Sequence, residues 1–332
     1  MKKEIYIFDG VSISPSSSDA DALRSVERKL SNAGVPKSAY ELNVYKKSVD
    51  ARRKSDVKII YSVSVLVKDG SEAYKSRFAA LGARVNVLED LKVELGSKKM
   101  TERPLVVGMG PAGMFCALIL AERGYKPIII DRGDCIRDRV AAVEGFYKSH
   151  VLDGESNIQF GAGGAGTFSD GKLLTRINDP RCAYVLETFK RFGAPDEVTV
   201  KAKPHIGTDI LRDVVDNMLN HIKELGGDVI YRCKLVDIKP RIDGIVEAVT
   251  TKGSFACSAV VLALGHSARD TYGMLIKNNF SIVPKPISVG VRIEHKRSMI
   301  EEALYGRFAG MASLGAAEYC INRRNRLAQG LY

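Results

Sequence analysis

The sequence predicts an α/β protein in which a parallel-sheet domain follows a small α+β domain. Three observations carry that expectation. Val57, Ile59, Tyr61, Val63, Val65 and Val67 alternate with Lys58, Ser62, Ser64 and Lys68, the period-two signature of a half-buried antiparallel strand. Leu105, Val106 and Val107 are instead continuously apolar and enter a glycine turn and an apolar helix, as a buried parallel strand opening a β-α-β unit does. Ala259 to Leu264 then forms a second wholly apolar strand, after three short meandering ones.

Residues 1–96 read as the small domain. A strand over Glu4 to Phe8 leads to a helix over Asp19 to Ala33, with Leu23, Val26 and Leu30 on one face. Two strands follow, and Asp69 and Gly70 turn the chain into a helix over Glu72 to Leu81, stopped by Gly82 before a strand at Arg84 to Leu88. That β-α-β-β-α-β order predicts a ferredoxin-like sandwich. Residues 97–103 are the linker, and 104–175 are the first part of the parallel-sheet domain. There Pro111 occupies the first turn of a helix running through Phe115, Leu118, Ile119 and Leu120 to Gly124, and a strand follows from Pro127 to Asp131. Beyond Asp131 strict strand-helix alternation stops, and 176–205 read as an insertion. The second part, 206–275, holds a helix capped by Thr208 and Asp209 and reaching Leu225, then a strand from Asp228 to Cys233. The meander occupies Leu235 to Ile238, Ile245 to Thr251 and Ser254 to Cys257. Residues 276–332 remain as an incomplete substrate domain and an atypical tail.

The chain carries 50 Lys and Arg against 39 Asp and Glu, a formal charge of +11. No apolar run approaches the ~20 residues of a membrane span. The leading lysines precede only Ile5 to Phe8, too short for a signal peptide, so a cytoplasmic location and no membrane partner are expected. Cys116, Cys135, Cys182, Cys233, Cys257 and Cys320 are scattered, without a C-x-x-C pair or a companion histidine, which predicts free thiols and no metal. Lys46, Lys47, Arg52, Arg53 and Lys54 form a basic stretch. A nucleic-acid partner through this domain stays open, although a solvated basic face is the simpler reading.

Gly108, Gly110 and Gly113 spell G-x-G-x-x-G between an apolar strand and a helix. In a Rossmann-type unit the first glycine permits the turn, the second admits a pyrophosphate to the backbone, and the third lets helix and strand pack closely. The anion then sits on the helix N-terminus, at Pro111 and Ala112. Asp131, ending the next strand, is placed to accept ribose hydroxyls, and Arg132 to flank an adenine. Two later features favour FAD over NAD. A second glycine loop, Gly161 to Gly166 with Gly163, Gly164 and Ala165, suits a long cofactor, and the returning strand brings Ala263, Gly265 and His266 beside it. The expected reaction passes hydride through the flavin, with NADH or NADPH as donor and a small molecule as substrate. The missing cysteine pair argues against a disulfide-active flavoenzyme. Arg292, Glu294 and His295 are the candidates for proton transfer, with Arg292 and Glu294 on one face of a strand. Gly166 to Lys172 nearly matches a P-loop, but Leu173 stands where a hydroxyl should hold a metal ion.

From Arg103 to about Gly310 the chain resembles the uncharacterised FAD-dependent dehydrogenases of the two-dinucleotide-binding-domain, glutathione-reductase-like flavoprotein superfamily. The resemblance rests on Val106 to Gly113, Asp131-Arg132-Gly133, Phe160 to Lys172, Gly265 to Thr271 and Val289 to His295, with Lys47 to Lys54 in the leading domain. It implies a Rossmann-type FAD domain with a β-meander crossover, an inserted substrate domain and flavin redox activity. After about Glu318 the sequence departs from that pattern, and the family's segment that returns to the flavin is absent; a truncation, a frameshifted reading or a fragment would explain this and leave the chain inactive, and a naturally short member is the alternative. The alternative is a non-catalytic dinucleotide-binding or nucleic-acid-binding module that uses the basic N-terminal domain.

Overall fold

A computed structural model of the chain describes residues 3–68, 71–88, 93, 94, 96, 97, 99–169, 171–173, 175, 177, 179–285, 291 and 293–319. It divides into two compact units. The first gathers Met1–Lys92, Thr199–Pro204 and Pro284–Tyr332, and the second Val93–Val198 and His205–Val283. The first carries 27 Lys and Arg against 16 Asp and Glu, whereas the second carries 23 of each, so the whole formal charge belongs to the first.

In the first unit, strands β1 (Lys3–Ile13), β2 (Tyr40–Asp50), β3 (Lys58–Val67) and β4 (Arg84–Leu88) make an antiparallel sheet of order β2-β3-β1-β4, the order a ferredoxin-like sandwich requires. β1 is longer than its apolar stretch suggests. The register with β3 shifts between Phe8 and Val11, and Gly10 at φ +75° lets the strand continue through that bulge. Helix α1 (Asp19–Asn32) begins with a reciprocal cap, in which the Ser18 N–H donates to Asp21 Oδ2 at 2.8 Å. Its Ala22, Val26 and Leu30, four residues apart, are fully buried with Tyr6, Phe8 and Tyr61 of the sheet. The second helix is short, a 3-10 turn over Glu72–Tyr74 and then α2 (Lys75–Ala80).

Two later stretches complete this unit. Val200 accepts from the Lys47 N–H at 2.8 Å and Lys47 accepts from the Ala202 N–H at 2.9 Å, which extends the sheet at β2. Residues 276–332 read as part of a substrate domain, yet a helix at Arg297–Tyr305 and the turns after it bury Tyr305 and Leu314 in the sandwich core. The strand expected through Arg292 and Glu294 does not form among the described residues, because 293–295 have no ladder partner there; Arg292 itself lies outside them. The basic stretch is partly neutralised: Lys47 pairs with Asp19 at 2.7 Å and Arg52 with Asp50 at 2.5 Å.

In the second unit, β5 (Leu105–Val107), β6 (Ile128–Ile130), β7 (Asp228–Ile230) and β11 (Val260–Leu262) form a parallel sheet of order β11-β5-β6-β7. Between β7 and β11 in the chain, β8 (Leu235–Pro240), β9 (Val246–Thr250) and β10 (Gly253–Cys257) make the antiparallel meander, which carries the chain from one sheet edge to the other. Alternate residues feed two cores. Val106 and Ile129 pack with α3 (Pro111–Glu122) and a long helix over Thr208–Glu224, while Leu105, Val107, Ile128 and Ile130 pack with the meander. A sheet covered on both faces explains why these strands are apolar throughout.

The departures from expectation are local. A helix α4 (Ile136–Ser149) follows β6, where the sequence reading saw alternation stop. The insertion holds α5 (Arg181–Arg191). The helix after it, α6 (Thr208–Glu224), is capped by Gly207, so Thr208 is its first residue rather than its cap. β7 ends at Ile230 because Arg232, at φ +50°, turns the chain. A final helix, α7 (Arg269–Lys277), closes the unit.

Candidate functional site

The fingerprint turn joins β5 to α3, and its three glycines are needed for different reasons. Gly108 has φ +104°, and a Cβ there would lie 2.3 Å from the Ala263 carbonyl oxygen. A Cβ on Gly113 would lie 1.8 Å from the Gly108 oxygen. Gly110 differs. It caps α3 at φ −71°, which any residue adopts, and a Cβ on it would meet nothing within 4 Å. The space before it adjoins the start of α3, where Pro111 and Ala112 are exposed and the first-turn N–H groups have no partner in the helix.

The structure brings the second glycine loop onto this turn. The Gly163 N–H donates to the Met109 carbonyl at 2.8 Å. A Cβ on Gly164, whose φ is +65°, would lie 3.1 Å from Gly110 Cα and 3.4 Å from Pro111 Cδ. Gly163 is also at positive φ, +82°, and Ala165 and Gly166 open a 3-10 turn that ends at Phe168. Among the described residues no helix opens directly after Gly171, where the P-loop spelling would need a helix N-terminus to bind phosphate; Lys172 pairs with His205 in an isolated β-bridge instead.

Asp131 is buried beneath the turn. Its Oδ2 accepts from the Met109 N–H at 2.7 Å and its Oδ1 from the Gly133 N–H at 2.8 Å, which leaves each oxygen a further lone pair. Met109, which sequence reasoning passed over, therefore joins Asp131 to the second loop through its own backbone. Arg132 does not stand free. Its guanidinium lies 4.5 Å from the Phe160 ring centre and pairs with Asp270 at 2.5 Å and Glu155 at 3.3 Å. On the returning strand, the Ala263 N–H donates to Val107 at 2.8 Å, and a Cβ on Gly265, at φ +67°, would meet nothing within 4 Å. His266 is exposed, with Nε2 3.4 Å from the Ser267 hydroxyl.

Glu294 and His295 belong to the other unit. There His295 Nδ1 and the Tyr319 hydroxyl share a hydrogen bond of 2.7 Å. Among the described residues no His, Cys, Asp and Glu group could hold a metal, and no helix is long and apolar enough to cross a membrane. The five cysteines among the described residues are free thiols, and burial pushes Cys257 up to about 11 and raises Cys116 too, so neither is a ready nucleophile at neutral pH.

Sequence reasoning missed Arg139, because it missed α4. The signal was present in Ile136, Val143 and their helical spacing, with the acidic Asp138 in the first turn. Arg139 is fully buried and binds the second glycine loop from behind.

Fold and turn together define an α/β protein with a Rossmann-like strand-turn-helix unit. Residues 286–332 match the family model described as FAD-dependent protein, C-terminal domain-like, and the match runs through the tail that reads as atypical. An uncharacterized protein of Clostridium beijerinckii is 43% identical over 294 residues, which are 88% of this chain and 55% of that protein. The chain thus spans about half the length of this curated relative. Among solved structures it is similar to THI4 of Thermovibrio ammonificans (14% identity, TM-score 0.36, 54% of this chain and 63% of that one). It is also similar to the L-amino acid deaminase of Proteus vulgaris (16% identity, TM-score 0.29, 58% of this chain and 53% of that one).

Proposed function

We propose that the chain binds FAD and serves a flavin-dependent oxidoreductase that takes hydride from NADH or NADPH or from a small-molecule substrate. One observation carries the reading. Gly108 and Gly113 are required by the protein's own backbone, whereas no protein atom requires Gly110 to lack a side chain. A glycine kept open beside a helix N-terminus suits a pyrophosphate that must touch the backbone. The residues present fit the group. Ala112 and Gly113 would offer N–H donors to phosphate oxygens, the free lone pairs of Asp131 would accept ribose hydroxyls, and Gly164 and Gly265 would let the rest of a long cofactor pass close to the chain. The family description over 286–332 supports FAD as that cofactor.

When bound, FAD supplies the ring that accepts and returns hydride; the protein's part is to hold it, orient it and exclude water. Arg132, pinned by Phe160, Asp270 and Glu155, is a fixed wall rather than a mobile ligand. The direct test is the visible absorbance of the purified chain after adding FAD, then NADH or NADPH without oxygen. Protein-bound flavin bands that bleach on reduction are expected. A chain that takes up no flavin overturns the proposal.

A further inference from the structure

We propose that Arg139 is a positioning residue for the cofactor: from α4 it holds the second glycine loop in the shape that completes the cradle opposite Gly110. The inference rests on the flavin reading above. Arg139 is wholly buried, and its planar fork is used in three directions. Nε donates to the Asn157 carbonyl at 2.8 Å, Nη2 to Ile158 at 2.8 Å, and Nη1 to the Ala162 carbonyl at 2.6 Å and to Thr167 Oγ1 at 2.9 Å. Thr167 Oγ1 in turn donates to the Gly164 carbonyl at 2.9 Å. The chain of contacts therefore runs from Arg139 through Thr167 to Gly164, the residue that sits against Gly110. Gly161 leaves room for the arginine's stem, since a Cβ there would lie 2.6 Å from Arg139 Cδ.

The charge is unusual as well. Every hydrogen-bond acceptor of Arg139 is a neutral oxygen, and a second guanidinium, Arg212, shares the Phe168 ring with it, at 4.9 Å against 4.7 Å from the ring centre. Arg212 Nε is itself buried without a hydrogen-bond partner. Burial pulls Arg139 down to about 10, which still leaves it a cation at neutral pH, with the Asp131 carboxylate supporting the charge and Arg212 opposing it. A buried cation without a paired carboxylate is expensive alone. A pyrophosphate beside the loop would add counter-charge to that of the Asp131 carboxylate.

The test titrates FAD, followed by quenching of its fluorescence, into the full chain and into Arg139→Lys, Arg139→Met and Thr167→Val, with far-ultraviolet circular dichroism reporting the fold. Circular dichroism of the saturated flavin reports cofactor geometry, which a purely structural role would leave unmoved. Folded Arg139→Met should bind FAD about ten- to a hundredfold more weakly, Arg139→Lys should not restore wild-type affinity, and the flavin signal at saturation should change. Thr167→Val, which removes only the relay to Gly164, should lose several-fold. Folded Arg139→Met that binds within about twofold of wild type, with the same flavin signal, overturns this proposal alone. If Arg139→Met does not fold, unchanged affinity in Thr167→Val overturns it instead. A wild-type chain that binds no FAD overturns the flavin reading, and this proposal with it.

Discussion

The two glycine segments that meet at the candidate site owe their glycines to different causes. In the fingerprint turn, Gly108 and Gly113 are wedged against backbone, the Ala263 carbonyl and the Gly108 carbonyl, which cannot swing aside. In the second loop, Gly161 and Gly163 are crowded by side chains, those of Arg139 and Thr167, and are further required by positive φ. The first segment is thus specified by the packing of a strand on a helix, and the second by side chains, those of the buried Arg139 and Thr167. The first can be read from spacing alone. The second needs a contact 22 residues or more distant in sequence, such as Arg139 to Ala162 at 23.

That contrast sets the order of expected effects. Gly113→Ala places a methyl group 1.8 Å from a backbone oxygen at the heart of the β5-α3 packing, and should cost about 4 kcal/mol or more, or prevent folding of the second unit. Urea unfolding followed by circular dichroism measures it, and a loss under about 1 kcal/mol would contradict the close packing. Gly164→Ala is milder, because the neighbouring Gly110 Cα is 3.1 Å away and the penalty comes from a backbone at φ +65° and ψ −167°. About 1–3 kcal/mol is expected from the same unfolding curves.

The first unit supplies a yardstick in which side chains, not glycines, hold the structure. The Tyr61 hydroxyl donates to Asp19 Oδ1 at 2.6 Å, and Lys47 pairs with the same oxygen. Burial raises the Asp19 carboxyl, but these hydrogen bonds and the lysine charge outweigh it and hold the group below its ordinary value. A depressed carboxyl contributes stability that is present above its unfolded pKa, about 4, and is lost as pH falls through the folded value. Tyr61→Phe should therefore cost about 0.5–1 kcal/mol at pH 7, near the low end because Asp19 is half exposed, and the difference from wild type should shrink below about pH 4. Unfolding curves at pH 7 and pH 3 decide it; a penalty that grows in acid would refute the pairing. Smallest of all, Arg181→Ala should leave the unfolding midpoint unchanged, because its pair with Asp179 is on an arginine 73% exposed to solvent.

Much of the fold is legible in the sequence, and for reasons visible in the residues. The alternation through Ile59, Tyr61, Val63 and Val65 marks β3 because one face of that strand is buried and the other is not. Leu105 to Val107 and Ile128 to Ile130 are uniformly apolar because both faces of the parallel sheet are covered. The meander is marked by turns such as Asp243 and Gly244 between short strands. What is not legible depends on distant contacts. Nothing local says that Val200 and Ala202 pair with Lys47, or that Tyr305 and Leu314 enter the first unit's core. Arg132 invites a ligand role in the sequence, but Asp270, 138 residues away, claims its guanidinium. Arg139 shows the converse, an ordinary arginine in sequence that burial makes specific.

The most direct measurement is FAD affinity in Gly110→Ala. The substitution meets nothing within 4 Å and an ordinary φ of −71°, so the unfolding free energy in the absence of cofactor should match wild type to within about 1 kcal/mol. With the fold intact, the methyl group should occupy the space of the pyrophosphate and weaken FAD binding by at least about tenfold. A stable Gly110→Ala chain that binds FAD as tightly as wild type would contradict the placement of the cofactor on this turn.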